Sequence, residues 1–118
     1  MLFVTNLKGH MSNIIVEKNP AQAKLEALNV TKWATWQKEV STFDWVFPEQ
    51  EIAYILEGEC VITPTGGAPV RFGKGDLVTF PAGVSAVWQV KKPLRKHYKL
   101  DGNALTQMWL RLKLKFKS

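Results

Sequence analysis

Two glycine-bounded strand segments constrain this chain more than anything else in it. Glu51-Ile-Ala-Tyr-Ile-Leu-Glu-Gly58 and Gly75-Asp-Leu-Val-Thr-Phe-Pro81-Ala-Gly83 are short apolar runs, each closed by residues that turn the backbone or break a ladder. From Trp33 onward such runs recur at short intervals, the pattern of an all-β sandwich or barrel. Thr65-Gly66-Gly67 and Gly73-Lys-Gly75-Asp76 read as hairpin turns, because glycine reaches the positive φ angles that tight turns demand. Pro81-Ala-Gly83 interrupts the ladder again before Val84–Val90. In Glu51–Leu56 both parities are apolar, with Ala53 and Ile55 on the face of Glu51 and Ile52, Tyr54 and Leu56 on the other. That pattern predicts a strand buried on both faces.

One stretch reads as helix: Asn19 as N-cap, Pro20 in the first helical position, Ala21 to Leu28 as helix formers, and Asn29 to end the turn. At the other end Leu110, Leu112, Leu114 and Phe116 alternate with Arg111, Lys113, Lys115 and Lys117. Period two predicts a strand with one apolar and one cationic face.

A chain of 118 residues with 46% apolar and 22% charged residues suits one globular domain. Residues 13–118 are read as that domain and residues 1–12 as an extension outside it, with Met11 an alternative start. Charge is uneven: residues 1–90 carry seven Lys/Arg against nine Asp/Glu, and residues 91–118 carry nine against one. The basic end is read as a solvated strand face. Nucleic acid is not the expected partner, since Phe116 lies on the opposite parity to Lys115 and Lys117. Cys60 stands alone, so no intrachain disulfide forms. That suits a reducing cytoplasm, and an inert buried thiol is expected. No apolar run reaches the roughly 20 residues that span a bilayer.

Taken as a set, six pieces carry a family resemblance: Trp33-x-x-Trp36, Phe43-x-Trp45, Glu51-x-x-Tyr54-x-Leu-Glu-Gly58-Glu59, Gly75-Asp76-x-x-x-Phe80-Pro81-Ala-Gly83, Trp88-x-Val90 and Arg95-Lys96-His97-Tyr98. Over Trp33 to Leu100 the chain resembles the small single-domain cupins related to the cupin fold of ureidoglycine aminohydrolase. The resemblance implies an all-β jelly-roll barrel, here with a short N-terminal helix and an extra C-terminal strand, and pairing through sheets into a homodimer.

It also implies where a cupin's metal ligands would stand. The first cupin motif carries two histidines and a glutamate ahead of a closing glycine. Counted back from Gly58, the glutamate is Glu51. The histidine positions fall on Trp45 and Phe47, or on Asp44 and Val46 with a spacer one residue longer. The second motif matches at Gly75, Pro81 and Gly83 but has Ala86 where the histidine belongs and Val90 where the asparagine belongs. A divalent transition ion wants three or four donors converging on one point. Glu51 is the one secure donor, so neither a metal nor another cofactor is expected. The metal-dependent aminohydrolase reaction of the resembling enzyme loses its support with it.

What remains is a barrel mouth. Parity puts Ala86, Trp88 and Val90 on the face of the missing histidine, and Trp45 and Phe47 face inward under the shorter spacer. With Glu51 they would line an aromatic pocket of the kind that takes small ligands. One or two of the five tryptophans are expected to touch a ligand and the rest to fill the core. Glu51 has two readings: the acid/base group of a metal-independent isomerase or hydrolase, or a carboxylate paired with Lys96 or hydrogen-bonded to Tyr98. His97 and Tyr98 are adjacent and cannot both enter one cavity from a regular strand. The expected function is recognition of a small organic molecule in the barrel mouth without metal. Whether turnover follows, and whether the barrel is instead filled by its own side chains in a structural protein, stay open at this level.

Overall fold

The computed structural model describes residues 13–100; the expected extension at 1–12 and the alternating segment Leu110–Phe116 lie outside the described residues. The chain runs β1 (Ile15–Glu17), α1 (Gln22–Leu28), a 3-10 turn (Val30–Lys32), β2 (Ala34–Lys38), β3 (Ser41–Val46), β4 (Glu51–Pro64), β5 (Val70–Gly73), β6 (Leu77–Phe80) and β7 (Ser85–Leu100). Every strand pairing is antiparallel, in the order β1-β6-β4-β7-β2, with β3 also on β7 and β5 also on β4. This is the expected all-β jelly-roll.

Two long strands make the barrel by serving two sets of neighbours each. β4 pairs β6 through Glu51–Tyr54 and β5 through Glu59–Ile62. β7 pairs β3 through Ser85–Val90 and β2 through Leu94–Tyr98. Between these halves the β4–β7 register slips at Ile55, Glu57 and Glu59, and such irregularities bend and twist a strand. Gly58 sits in that slip at φ 109°, where a Cβ would stand 2.5 Å from the Pro93 carbonyl oxygen and 2.8 Å from the Leu94 Cα. The sheet therefore folds over where a glycine on β4 meets a proline on β7.

The core collects the inward face of each strand. Ala53, Ile55, Ile62, Val78, Val90 and Leu94 are all at or below 2% exposure. An aromatic knot completes it: Phe47 stacks on Phe80 at 4.6 Å, and Phe72 meets Trp88 edge-on at 5.7 Å. Each such side chain contributes about 1.5–3 kcal/mol by leaving water.

Three expectations need correction. The helix is capped by Ala21 and not by Asn19, and it starts after Pro20. Asn19 is in the left-handed region at φ 43°. Its neighbour Lys18 is tied 2.9 Å from Asp76 in the β5–β6 turn, so the chain turns there before the helix can begin. Asn29 does end the helix, at φ 56°. Next, β4 is not buried on both faces. Glu51, Ala53 and Ile55 are buried, while Ile52, Tyr54 and Leu56 are only half-buried, because no described element covers that outer face fully. Finally, the four tryptophans among the described residues are not mainly core. Trp88 is 2% exposed, Trp33 and Trp36 are half-buried, and Trp45 is 49% exposed.

Candidate functional site

β2, β3, β4 and β7 converge on a cavity of about 290 Å3. Trp36 comes from β2, Phe43 and Trp45 from β3, Glu51 from β4, and Trp88, Lys96, Tyr98 and Leu100 from β7. The β3–β4 loop adds Phe47, Pro48 and Glu49. Strand parity builds most of this wall. Along β7 the even positions Ala86, Trp88, Val90, Leu94 and Lys96 are buried, with the exposed Lys92 breaking the series at the register slip, and carried two residues further the same parity reaches Tyr98.

Inside the cavity the Lys96 ammonium donates to Glu51 Oε2 at 2.5 Å, with the two side chains 6% and 10% exposed. The ammonium also lies over Trp36, Trp88, Phe80 and Tyr98, at 5.0, 5.1, 5.7 and 5.7 Å from their ring centroids. The negative face of an aromatic ring attracts a cation at such distances. A charge removed from water is therefore offset by one carboxylate and several rings. Among the described residues two polar atoms nearby are buried without hydrogen-bond partners: Glu49 Oε1 and Trp88 Nε1.

Of the residues singled out from sequence, Trp45, Phe47, Glu51 and Trp88 share this cavity. Ala86 and Val90 face the same way but belong to the apolar core and not to the cavity wall. Asp44 and Val46, the positions under the longer spacer, are exposed. Tyr98 lines the cavity, whereas His97 turns to Thr35 Oγ1 at 3.2 Å, so adjacent residues do split between the faces. Glu51 is not alone: Lys96 answers it. The sequence offered Lys96 as one of two candidate partners for Glu51, beside Tyr98, and the structure selects it; Trp36 and Glu49 were not placed in the cavity from sequence. For Glu49, in a loop, no periodicity exists to read.

This donor set does not suit a transition ion. Trp45 and Phe47, or the exposed Asp44 and Val46 with the longer spacer, stand with Ala86 where nitrogen ligands would, and Glu51, the carboxylate at the motif position, already binds an ammonium. Among the described residues no group of three or more His, Cys, Asp or Glu could hold a metal. Cys60 is also near this chemistry. Burial pushes its thiol up to about 12, with Lys96 pulling the other way, so it stays a protonated, unreactive core group.

A folded-over antiparallel sheet with a cavity in its mouth, and ligand positions recognisable even where the ligands are replaced, define a cupin. The chain belongs to the EutQ-like cupin domain family, whose pattern matches residues 25–98. Among solved structures it is similar to a DUF861 family protein from Thermotoga maritima, at 46% identity and a TM-score of 0.74, covering 75% of this chain and 100% of that one. It is also similar to a putative ethanolamine utilization protein Q from Salmonella typhimurium, at 26% identity and a TM-score of 0.50, covering 54% of this chain and 51% of that one. The EutQ protein of Clostridium difficile, at 23% identity and a TM-score of 0.51 over 72% of this chain and 64% of that one, shares the fold. No curated protein matches the chain.

Proposed function

We propose that this cupin binds a small organic molecule in the cavity between β3, β4 and β7 without a metal ion, with Glu51 and Lys96 as the polar floor. The observation that carries this is the buried Glu51–Lys96 pair, which opens onto a cavity of about 290 Å3 walled by aromatic rings. That volume lies near the low end of ligand pockets, roughly 300–1,000 Å3, and speaks against a barrel filled by its own side chains. Apolar walls with a few fixed polar groups are the ordinary composition of such a site.

Lys96 takes over the electrostatic role that a metal has in other cupins: it is a fixed positive charge beside the motif glutamate. A ligand oxygen can accept from the N–H groups that Glu51 leaves free, since an ammonium has three donors. The metal-dependent chemistry of ureidoglycine aminohydrolase has no counterpart in these residues. The same proposal includes a cytoplasmic location, which a lone buried thiol suits, and a homodimer joined through the half-buried outer face of β4. No helix among the described residues is long and apolar enough to cross a membrane. Nucleic acid has no part in the proposal.

Turnover is the second reading, favoured by one observation: Glu51 and Lys96 are a hydrogen-bonded acid–base couple at a cavity wall. A metal-independent isomerase or hydrolase would use Glu51 to move a proton. A thermal-shift screen of small metabolites, with elemental analysis of untagged protein, tests the primary proposal. A ligand that prefers the folded state raises the melting temperature. Stoichiometric manganese, iron, nickel or zinc, or no compound that raises the melting temperature, contradicts it. Product formation abolished by Glu51→Gln would move the assignment from binding module to enzyme.

A further inference from the structure

Glu49 is the charged group that the pairing of Glu51 with Lys96 leaves over. It sits in the β3–β4 loop, lines the cavity, and is 9% exposed. Its Oε1 is buried with no hydrogen-bond partner, and no ion pair to it forms among the described residues. A buried carboxylate oxygen without a donor is costly, and each such group in a folded protein asks for an explanation.

Among the described residues the charges in the cavity do not balance. Lys96 neutralises Glu51, and no described cation pairs with Glu49. The walls agree in sign. Trp36, Phe43, Trp45, Phe47 and Tyr98 surround the space, and the faces of such rings favour cations. The protein shows the principle on its own side chain, since the Lys96 ammonium already rests among four rings. An anion entering here would share the Lys96 ammonium with Glu51 while lying near Glu49, a carboxylate with no partner cation among the described residues.

From this geometry we infer that the cavity takes a small organic ammonium ion, a protonated primary or secondary amine whose N–H groups donate to Glu49 while its charge rests on the aromatic walls. N–H donors are essential to the assignment, because a quaternary ammonium would satisfy the rings and leave Glu49 without a hydrogen bond. The inference rests on the proposal that this cavity is a ligand site, and it adds the class of ligand.

The test holds one ring constant and varies the charge. Benzylammonium, benzyl alcohol, benzoate and benzyltrimethylammonium are titrated into the protein and into Glu49→Gln by calorimetry near neutral pH. Benzylammonium is expected to bind at least about tenfold more tightly than benzyl alcohol, the size of effect that a desolvated cation on aromatic faces supplies. Benzoate and benzyltrimethylammonium should both bind more weakly than benzylammonium. Glu49→Gln keeps the shape of the side chain and should remove the advantage of the ammonium over benzyl alcohol.

If Glu49→Gln fails to fold, the comparison of benzylammonium with benzyltrimethylammonium on the unaltered protein still decides. Equal or tighter binding of benzyl alcohol, benzoate or the quaternary ion overturns the ligand class and leaves the ligand site standing. Unchanged preference for benzylammonium in Glu49→Gln overturns the role of Glu49. Binding of none of the four overturns the inference together with the site on which it rests.

Discussion

The Lys96 ammonium and the Glu51 carboxylate meet at 2.5 Å inside the barrel, on neighbouring strands β7 and β4. The glutamate stands where the cupin motif puts its metal-binding carboxylate, and the lysine gives it a cation built into the chain. A single hydrogen-bonded pair, enclosed by rings, thus sits in the mouth of the barrel. The consequences can be measured one at a time.

Breaking that pair from one side strands the other charge. Lys96→Met or Glu51→Gln alone should destabilise the fold, with Lys96→Met costing about 3–5 kcal/mol because Glu51 is left buried and unpaired. The double variant should recover much of that loss, and a double-mutant cycle by urea unfolding reads the coupling. Additive costs would mean that the two groups do not interact in solution.

Chelation should do nothing. If Lys96 supplies the positive charge beside Glu51, EDTA should leave the melting temperature unchanged. A fall in melting temperature that added manganese or zinc restores would show an ion bound to the fold.

Cys60 makes the alkaline limb of stability predictable. Its thiol is raised from 9.0 to about 12 in the folded protein. The folded state then holds its proton where the unfolded chain has lost it. The contribution is complete below 9.0 and declines as pH rises toward about 12. Urea unfolding across that range should show falling stability, and Cys60→Ala should flatten the slope whatever it does to the absolute value. An unchanged slope contradicts the buried thiol.

The fold-over of the sheet should be sensitive to a single methyl group. Gly58→Ala puts a Cβ at φ 109° against the backbone of Pro93 and Leu94. Strain of this kind costs on the order of 1–3 kcal/mol before the clash is counted. Thermal unfolding should show a fall of several degrees, while Gly66→Ala, where nothing stands within 4 Å, should fall less. Equal effects at the two sites would mean that the close approach of β4 and β7 is not what Gly58 serves.

The barrel was legible because its punctuation is local. Gly58, Gly75, Pro81 and Gly83 mark places where the backbone must turn, and alternation along Ala86, Trp88 and Val90 names the inward face without any knowledge of partners. The site was legible only in outline. Glu51 could be placed by counting from Gly58 and Lys96 named as one of its two candidate partners, but nothing local chooses between Lys96 and Tyr98 or brings the rings around the pair, because they come from strands far apart in the chain. The helix start was misread because Asn19 and Pro20 have the right side chains for a cap, while the tie from Lys18 to Asp76 that turns the chain there is tertiary. The exposure of Trp45 was hidden for a similar reason: hydrophobicity favours burial, but the rim of a cavity keeps an aromatic half in water.

The central claim is that Lys96, held by Glu51 among aromatic rings, occupies the place of a metal. NMR of the lysine side chains, recorded with and without manganese(II), tests it most directly. One lysine, assigned by its loss in Lys96→Met, should show side-chain protons shifted strongly upfield by the rings and should be unaffected by manganese. Lys96 signals at the shifts of a free lysine, or broadened at equimolar manganese, would contradict the claim.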